Sequence, residues 1–218
     1  MINNDNGFFI SDADDQLVAY AGYDSNVVIP DRVKSIGNNA FECCSELTSI
    51  EISNNVTSIG CSAFFECENL VSIKIPNSVT RIEDGLFLKC TGLTSIDIPD
   101  SVTSIGELAF SECRSLANIF IPNSVTSIGE YAFSECHSLA SIVIPNSVTS
   151  IGGSAFSECD SLTSIKIPKS VTSMGKWVFF KCSMLKDIYC EATSKPASWH
   201  DDWLRDCHAT VHWGVEEK

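Results

Sequence analysis

Basic residues are scarce in this chain of 218 residues. Lysine and arginine together number 14, against 28 aspartates and glutamates, and the formal net charge is −14. Proteins that bind nucleic acid or anionic lipid present a basic surface that neutralises phosphates. We therefore expect neither nucleic acid nor an anionic membrane among the partners of this acidic protein.

Long apolar segments are missing as well. No run of 18 apolar residues is present, so the sequence offers no helix that could cross a bilayer, and we expect no membrane insertion. Residues 1–7 also lack the basic region and the following apolar run of a secretory signal. The sequence alone leaves two alternatives, a cytosolic protein or a chain from which a signal has been removed.

Histidine is rare, with four in the whole chain, and catalytic groupings are correspondingly few. A nucleophile needs a base within reach and a group that orients the base. The many serines follow the repeat described below, whereas histidine is confined to His137 and the C-terminal region. We expect no enzymatic activity, and we assign no catalytic residue.

One region near the C-terminus concentrates residues that bind metals. They are His200, Cys207, His208 and His212, with Asp201, Asp202 and Cys190 nearby. Zinc accepts such ligands, but their spacing matches no compact zinc pattern and tryptophans interleave them as in a packed core. The favoured interpretation is a packed end of the fold that holds no metal or other cofactor. A metal-dependent activity in this region is kept as an alternative.

What the chain has in abundance is repetition. Seven cysteines stand at a fixed interval of 23 residues, from Cys44 to Cys182. Seven phenylalanines keep the same step from Phe41 to Phe179, and seven leucines keep it from Leu47 onwards. Self-similarity at roughly 20 to 50 residues is typical of stacked repeat proteins.

Residues 113–135 show one repeat unit. Its inward candidates, followed by Cys136 in the next unit, are Leu116, Ile119, Ile121, Val125, Ile128, Ala132 and Phe133. The alternation of Ile119 and Ile121 predicts a short half-buried strand that pairs in parallel with its neighbours. Pro122 should end that strand because proline lacks an amide donor.

The second half of the unit predicts another wall and a corner. Residues 125–128 indicate a second short extended piece, and Gly129 predicts a turn with positive φ, which glycine adopts at little cost. Residues 130–135 are too few for an ordinary helix, so we expect a helical turn or a 3₁₀ segment there.

A single unit buries too few apolar side chains to offset the ordering of its backbone, so the units must stack. Stacked arrays need special sequences at both ends. The sequence thus predicts a mainly β repeat solenoid of 23-residue coils. Residues 1–26 form an N-terminal cap, residues 27–189 the repeat array, and residues 190–218 a C-terminal cap rich in tryptophan.

The unit Leu-x-x-Ile-x-Ile-Pro-x-Ser-Val-x-x-Ile-Gly-x-x-Ala-Phe-x-x-Cys resembles the BspA-type, or Treponema pallidum-type, leucine-rich repeat over about residues 27–189. Most leucine-rich repeats place asparagine where this chain has Asn55, Ser78, Ser101, Ser124, Ser147 and Ser170. The convex side should therefore differ from an α-helical horseshoe. The tail over residues 188–196 and 209–214 is similar to the ends of BspA-like arrays from gut and oral bacteria. The resemblance implies a cell-surface or secreted protein that acts in adhesion to surface proteins.

The seven ladder cysteines are predicted to be buried free thiols at an interior corner of each coil. Disulfides between neighbouring coils are disfavoured because seven is an odd number and parallel Cβ vectors suit the disulfide torsion poorly. Four cysteines lie off the ladder: Cys43, Cys61, Cys190 and Cys207. A bond between Cys190 and Cys207 that fixes the C-terminal cap stays open.

Binding residues are sought on the strand face, because solenoids present extended surfaces whose variable positions do not disturb the core. The outward residue between the two buried positions of each strand is, in chain order, Glu51, Lys74, Asp97, Phe120, Val143, Lys166 and Tyr189. Phe120 and Val143 are adjacent and should form a small apolar patch beside Asn118 and Ser141, suited to a protein or glycan partner. Further exposed candidates at the coil edges are Phe65, Leu88, Lys176, Trp177 and Phe180.

A column of glutamates, Glu112, Glu135 and Glu158, should stack like charges about 5 Å apart, given the spacing of strands in a sheet. Three single carboxylates fall short of the oxygens that calcium prefers, and a solvated face is the favoured interpretation.

Three functions stay compatible with the sequence. The first is a non-enzymatic protein-interaction or adhesion module whose strand face meets a protein or glycan. The second is a structural spacer or self-assembling element with weak self-association. The third is the metal-dependent activity in the C-terminal cap.

Overall fold

The computed structural model describes residues 2–215, so Met1 and residues 216–218, which belong to the predicted caps, lie outside the described residues. Within residues 2–215 the regular structure consists of strands, and no helix is present. The strands are β1 (Ile2–Asp5), β2 (Phe8–Ser11), β3 (Gln16–Tyr20), β4 (Asn26–Val28), β5 (Ser35–Ile36), β6 (Ser49–Glu51), β7 (Ser58–Ile59), β8 (Ser72–Lys74), β9 (Arg81–Ile82), β10 (Ser95–Asp97), β11 (Ser104–Ile105), β12 (Asn118–Ile119), β13 (Ser127–Ile128), β14 (Ser141–Ile142), β15 (Ser150–Ile151), β16 (Ser164–Ile167), β17 (Ser173–Met174), β18 (Asp187–Cys190) and β19 (Thr210–Trp213).

The strands from β4 onwards form two walls of a solenoid whose coils repeat every 23 residues. The first wall, here called the strand face, contains β4, β6, β8, β10, β12, β14, β16, β18 and β19, and its paired strands run parallel. The second wall contains β5, β7, β9, β11, β13, β15 and β17, also in parallel. Each residue lies opposite its counterpart one repeat away, as Ile105 does opposite Ile128. The predicted mainly β solenoid is confirmed.

The third side of each coil, here called the turn wall, differs from the prediction. Residues 130–135 form neither a helical turn nor a 3₁₀ segment, but a chain of turns. Tyr131 and Glu135 adopt positive φ angles of 53° and 57°, which a right-handed helix does not allow. The amides of Tyr131, Phe133 and Glu135 donate to carbonyls of the next coil at 2.8–2.9 Å. Pairing between coils thus alternates with local bonds, such as that from the amide of Ser134 to the carbonyl of Tyr131 at 3.1 Å, and no helix forms.

Gly129 also departs from the prediction, because its φ is not in the left-handed region. A Cβ atom added at Gly129 would lie 2.4 Å from the carbonyl carbon of Gly106 and 2.6 Å from the amide nitrogen of Glu107. Glycine is needed here because the backbones of neighbouring coils approach so closely.

The core is a continuous column inside the three walls. The inward candidates of the unit at residues 113–135 are all buried, and so are Cys113 and Cys136. The seven ladder phenylalanines stack ring on ring, with centroids 5.3–5.7 Å apart and interplanar angles of 1–16°. Tyr20 continues the stack on one side, and the edge of Trp203 meets Phe179 on the other. The apolar interior of each coil is thus completed by its neighbours.

The ladder cysteines contribute a hydrogen bond as well as volume. From Cys67 to Cys182, each thiol donates to the carbonyl of the phenylalanine 26 residues earlier, at 2.9–3.2 Å. Burial raises the pKa of Cys90 and of Cys182 to about 12, from an ordinary value of 9.0. All eleven cysteines are free thiols in the structure, including Cys190 and Cys207. Cys44, in the first repeat, is only half-buried.

The serine column at the position where most leucine-rich repeats have asparagine is also structural. The hydroxyls of Ser101, Ser124 and Ser147 each donate to the carbonyl of a valine 22 residues earlier, at 2.6 Å. These bonds tie successive coils together at the corner after the strand face.

Thiol chemistry offers a direct check of this packing. Alkylation of the folded protein at mildly alkaline pH should modify Cys43 and Cys61 readily and Cys44 and Cys207 more slowly, because burial raises the pKa of the latter two thiols. It should spare Cys190 and the six buried ladder thiols. Because the buried thiols stay protonated to higher pH than they would in the unfolded chain, their contribution to the free energy of unfolding is fully present below about pH 9. This contribution is lost as pH rises towards 12. Peptide mass spectrometry measures the labelling, and denaturant should expose all eleven sites. Modification of Cys113 as fast as Cys43 in the folded protein would contradict the buried ladder.

Both ends of the array are closed by atypical segments. At the N-terminus β1, β2 and β3 form an antiparallel meander, and β3 pairs in parallel with β5 of the second wall. At the C-terminus Trp199 and Trp203 are buried against the last coil, and the indole nitrogen of Trp199 donates to the carbonyl of Val171 at 3.0 Å. These aromatic residues cover the apolar ends that an open array would expose to water.

Candidate binding surfaces

The structure arranges the seven predicted binding positions in one column along the strand face. Glu51, Lys74, Asp97, Phe120, Val143 and Tyr189 are exposed, whereas Lys166 is half-buried. Val28 extends the column at one end, opposite Glu51, and His212 extends it at the other, opposite Tyr189. The alternation of buried and outward residues therefore continues along the array.

Phe120 and Val143 form an apolar patch at the middle of this column. Their exposed fractions are 69% and 75%, which are large for apolar residues of this size. The residues preceding their strands, Ala117 and Ala140, are small and exposed. The patch is rigid because the buried Ile119 and Ile142 on β12 and β14 pair directly below it. A rigid, exposed aromatic on a polar surface is suited to a protein contact.

Charged groups border the patch on both sides. Asp97 and Lys74 are paired positions of β10 and β8 on one side. On the other side Lys166 forms an ion pair with Glu191 at 2.7 Å, which explains its partial burial. The hydrogen bond from Lys166 and that from the amide of Lys169 hold the pKa of Glu191 below its usual range. Each side of the patch thus carries charges of both signs.

The C-terminal end of the column is held by a stacked pair. The rings of Tyr189 and His212 lie 4.8 Å apart and nearly parallel. The Nε2 atom of His212 is 2.8 Å from a carboxylate oxygen of Asp187. Tyr189 is therefore fixed by its neighbours and only 37% exposed, so it offers less free surface than Phe120.

Two of the histidines considered for a metal site in the C-terminal cap have other partners. His212 contacts Asp187 and Tyr189, and the Nδ1 atom of His200 accepts the amide hydrogen of Asp202 at 3.0 Å. In the part of the chain that the structure describes, no group of three or more histidines, cysteines or carboxylates lies close enough to hold a metal ion.

The glutamate column differs from the solvated row that the sequence predicts. Glu112, Glu135 and Glu158 are half-buried, and basic side chains lie among them. Arg114 contacts Glu112 at 2.9 Å and Glu135 at 3.5 Å, while Lys181 lies 3.7 Å from Glu158. The like charges are compatible with stacking because they are paired with cations on neighbouring positions.

Beside these glutamates lies a groove on the turn wall that the sequence analysis did not identify as a unit. Its volume is about 530 Å³, and it extends from Phe65 and Leu88 to Phe180. Between them the same position of the coil holds Ser111, Ser134 and Ser157. This switch from large to small residues in three successive repeats is the sequence signal that could have identified the groove.

The fold and surfaces together define a class of protein. Parallel three-sided coils with a Leu-x-x-Ile-x-Ile strand face, capped at both ends, form a solenoid of the leucine-rich-repeat class. Among residues 2–215 no helix is long and apolar enough to cross a membrane.

Comparison with known families assigns this solenoid more closely. The model of the BspA type leucine-rich repeat region matches residues 19–126 and 107–200, with six copies of the repeat. The chain therefore belongs to the BspA-type leucine-rich repeat family. No curated protein sequence matches the chain.

Solved structures of related proteins share the fold. A leucine-rich repeat protein from T. pallidum is 29% identical, with a TM-score of 0.60 over 86% of this chain and 81% of that one. One from Bacteroides ovatus is 26% identical, with a TM-score of 0.56 over 98% and 69%. A leucine-rich cell surface protein from Faecalibacterium prausnitzii is also 26% identical, with a TM-score of 0.50 over 91% and 77%.

Proposed function

We propose that this chain is a non-enzymatic interaction module that holds a protein partner against its strand face, around Phe120 and Val143. The observation that carries the proposal is the exposure of these two apolar side chains on adjacent coils, at 69% and 75%. Two exposed apolar side chains that adjoin one another on a polar surface mark a candidate contact site. The leucine-rich repeat fold supports the proposal because it presents an extended, rigid surface.

The charges beside the patch favour one orientation of the bound partner. Asp97 lies on one side of the apolar centre and Lys166 on the other. A partner with a basic group near Asp97 would be held in one orientation, because Lys166 on the other side is already paired with Glu191. We place the module at a cell surface, as the name of the F. prausnitzii relative states for that protein. Adhesion to a surface protein would use the strand face in this way.

The double substitution Phe120→Glu with Val143→Lys tests the proposal. Because both side chains are exposed, the thermal unfolding midpoint should stay within a few degrees of the parent chain. Binding to the partner, found by screening purified extracellular-matrix proteins, should weaken at least about tenfold, since truncation of a central aromatic contact often costs that much. Surface plasmon resonance measures the affinity.

A matched control lies in the same column. Val28 is 64% exposed at the N-terminal end, away from the patch, and Val28→Lys should leave the affinity unchanged. A partner that binds the parent, the control and the double variant equally well would show that the strand-face patch is not the contact. A large loss of thermal stability in the double variant would show that the two residues belong to the core.

A further inference from the structure

The groove on the turn wall has a floor that is specific to part of the array. Ser111, Ser134 and Ser157 are 6–7% exposed and lie in three successive coils. The hydroxyl oxygens of Ser134 and Ser157 are 2.7 Å apart and share a hydrogen bond. At the same coil position Phe65 and Phe180 close the two ends. The depression therefore exists because three coils have a small hydroxyl residue where the flanking coils have a large apolar one.

One wall of the groove carries large side chains on an unfavourable backbone. Leu108, Tyr131 and Trp177 have positive φ angles of 53–57°. Other coils place Asn39 or Gly85 at this position, which tolerate that conformation far better. Positive φ recurs in every coil, so it belongs to the geometry of the turn wall, and what distinguishes Tyr131 and Trp177 is the large aromatic ring at this position. Tyr131 and Trp177 are 39% and 40% exposed, so their rings are available to a ligand.

The opposite wall is polar and nearly balanced in charge. Its carboxylates belong to Glu112, Glu135 and Glu158, and Arg114 and Lys181 are their ion-pair partners. At the Phe65 end of the groove, Lys89 pairs with Glu66 at 2.9 Å. A cationic ligand would have to displace these basic side chains, and an anionic one would meet the carboxylates. Charge complementarity therefore favours a neutral ligand with many hydroxyl groups.

The spacing of the groove suits a linear polymer. Its hydroxyl and carboxylate groups recur once per coil, and the stacked rings of the core place successive coils 5.3–5.7 Å apart. A pyranose unit in an extended polysaccharide advances by nearly the same distance. Its apolar face stacks on aromatic rings, and its hydroxyl groups bind carboxylates and serine hydroxyls.

We propose that the turn-wall groove is a binding site for a neutral linear glycan, with Tyr131 and Trp177 stacking on sugar rings and the serine floor and Glu112, Glu135 and Glu158 binding hydroxyl groups. The site lies on a different wall from Phe120 and Val143 and does not depend on the strand-face proposal. One chain would thus bind a protein on the strand face and a polysaccharide on the turn wall.

The probes are neutral oligosaccharides of two to six units, namely β-1,4-linked glucose, β-1,4-linked N-acetylglucosamine, α-1,4-linked glucose and β-1,4-linked mannose. Isothermal titration calorimetry should detect binding of at least one series, with affinity that increases with length until the chain spans the groove. The deacetylated form of the N-acetylglucosamine series has the same backbone with one positive charge per unit, and it should bind more weakly than its neutral counterpart. Protection of tryptophan fluorescence from acrylamide gives a second readout, because Trp177 is the most exposed of the four tryptophans, whereas Trp199 and Trp203 are buried and Trp213 is half-buried.

The variant that removes the aromatic wall is Tyr131→Asn with Trp177→Ser, which installs residue types that other coils have at the same position. It should weaken binding at least about tenfold, the loss typical for removal of a stacking aromatic. Its thermal midpoint should stay within a few degrees of the parent, because both side chains are about 40% exposed and asparagine tolerates the left-handed conformation better than tyrosine. Ser134→Phe, which copies Phe65 and Phe180, should block the groove without unfolding the protein.

Several results would overturn the glycan site. They are a failure of all the neutral series to bind, unchanged affinity in both groove variants, or tighter binding of the deacetylated oligomers or of a lysine-rich peptide. The strand-face variant Phe120→Glu with Val143→Lys should bind oligosaccharides as the parent does. Loss of protein binding in that variant and loss of glycan binding in the groove variants are separate measurements, so each proposal stands or fails alone.

Discussion

Replacement of Phe133 by alanine is expected to lower the free energy of unfolding by about 3–5 kcal/mol, the range for removal of a buried aromatic ring. The ring is fully buried and lies between those of Phe110 and Phe156, at centroid distances of 5.3 and 5.5 Å. Removal leaves a cavity in the middle of the stack, which the neighbouring coils cannot fill because their spacing is fixed by backbone hydrogen bonds. Urea unfolding followed by circular dichroism measures the loss.

The position of Phe133 also predicts how unfolding proceeds. Each coil contacts only its neighbours, so a defect in a central coil weakens the coupling between the two halves of the array. The variant should therefore unfold over a broader range of urea concentrations than the parent. Phe120→Ala is the matched control, since that ring is exposed and its loss should cost less than about 0.5 kcal/mol. Similar losses at Phe133 and Phe120 would contradict the aromatic column as the core of the solenoid.

Gly129→Ala should be destabilising for a different reason. The added Cβ would lie within 2.6 Å of backbone atoms of Gly106 and Glu107, which cannot move as a flexible side chain can. Overpacking of a core typically costs about 1–3 kcal/mol, and contact with backbone places this substitution at or beyond the upper end of that range. Differential scanning calorimetry should show a lower unfolding midpoint, with the coils on both sides of Gly129 affected.

Substitution of Gly214 distinguishes the cost of close packing from the cost of an unfavourable backbone conformation. Its φ is +70°, but among residues 2–215 the nearest atoms to an added Cβ would be those of Thr193, at 3.9 Å. Gly214→Ala should therefore cost only the strain of a left-handed alanine, about 1–2 kcal/mol. If Gly129→Ala were no more destabilising than Gly214→Ala, the close approach of neighbouring coils at Gly129 would not be the reason for that glycine.

The periodicity was sufficient to predict most of the core. Phe133, Cys136 and Leu139 recur with the same step as their counterparts in other repeats, and a stacked coil buries each column at one place in its cross-section. The alternation of Ile119 and Ile121 likewise predicts which residues point outwards, so the exposure of Phe120 follows from the sequence. These features depend only on the spacing of apolar residues along one coil.

Features that depend on the neighbouring coil were predicted less well. In the turn wall, alternate amides donate to carbonyls of the next coil. A single repeat does not reveal this pairing, and the helical turn predicted for residues 130–135 is therefore wrong. The sequence predicts a positive φ at Gly129. The structure shows instead that glycine is required because the backbone of Gly106 leaves no room for a side chain. The sequence predicts a solvated glutamate column. It does not reveal the ion pair between Arg114 and Glu135, because these residues hold different positions in neighbouring coils.

Of the two candidate surfaces, one can be predicted from the sequence and the other cannot. The strand-face column could be listed from sequence because one position per coil defines it. The groove could not be listed in that way, since it combines three positions, represented by Tyr131, Ser134 and Glu135, over several coils. Trp177 and Phe180 were identified as exposed candidates, but their common groove with the serine floor became apparent only in three dimensions.

The sequence by itself determined the coil, its period, its buried columns and the membership of the chain in a repeat class, because the hydrophobic effect acts on the spacing of apolar residues. The tertiary structure alone decided the conformation of the turn wall, the need for glycine at position 129, the ion pairs of the glutamates and the shape of the groove. The physical reason is that these features arise from contacts between coils, where backbone pairing and close approach fix geometry that a single repeat does not specify.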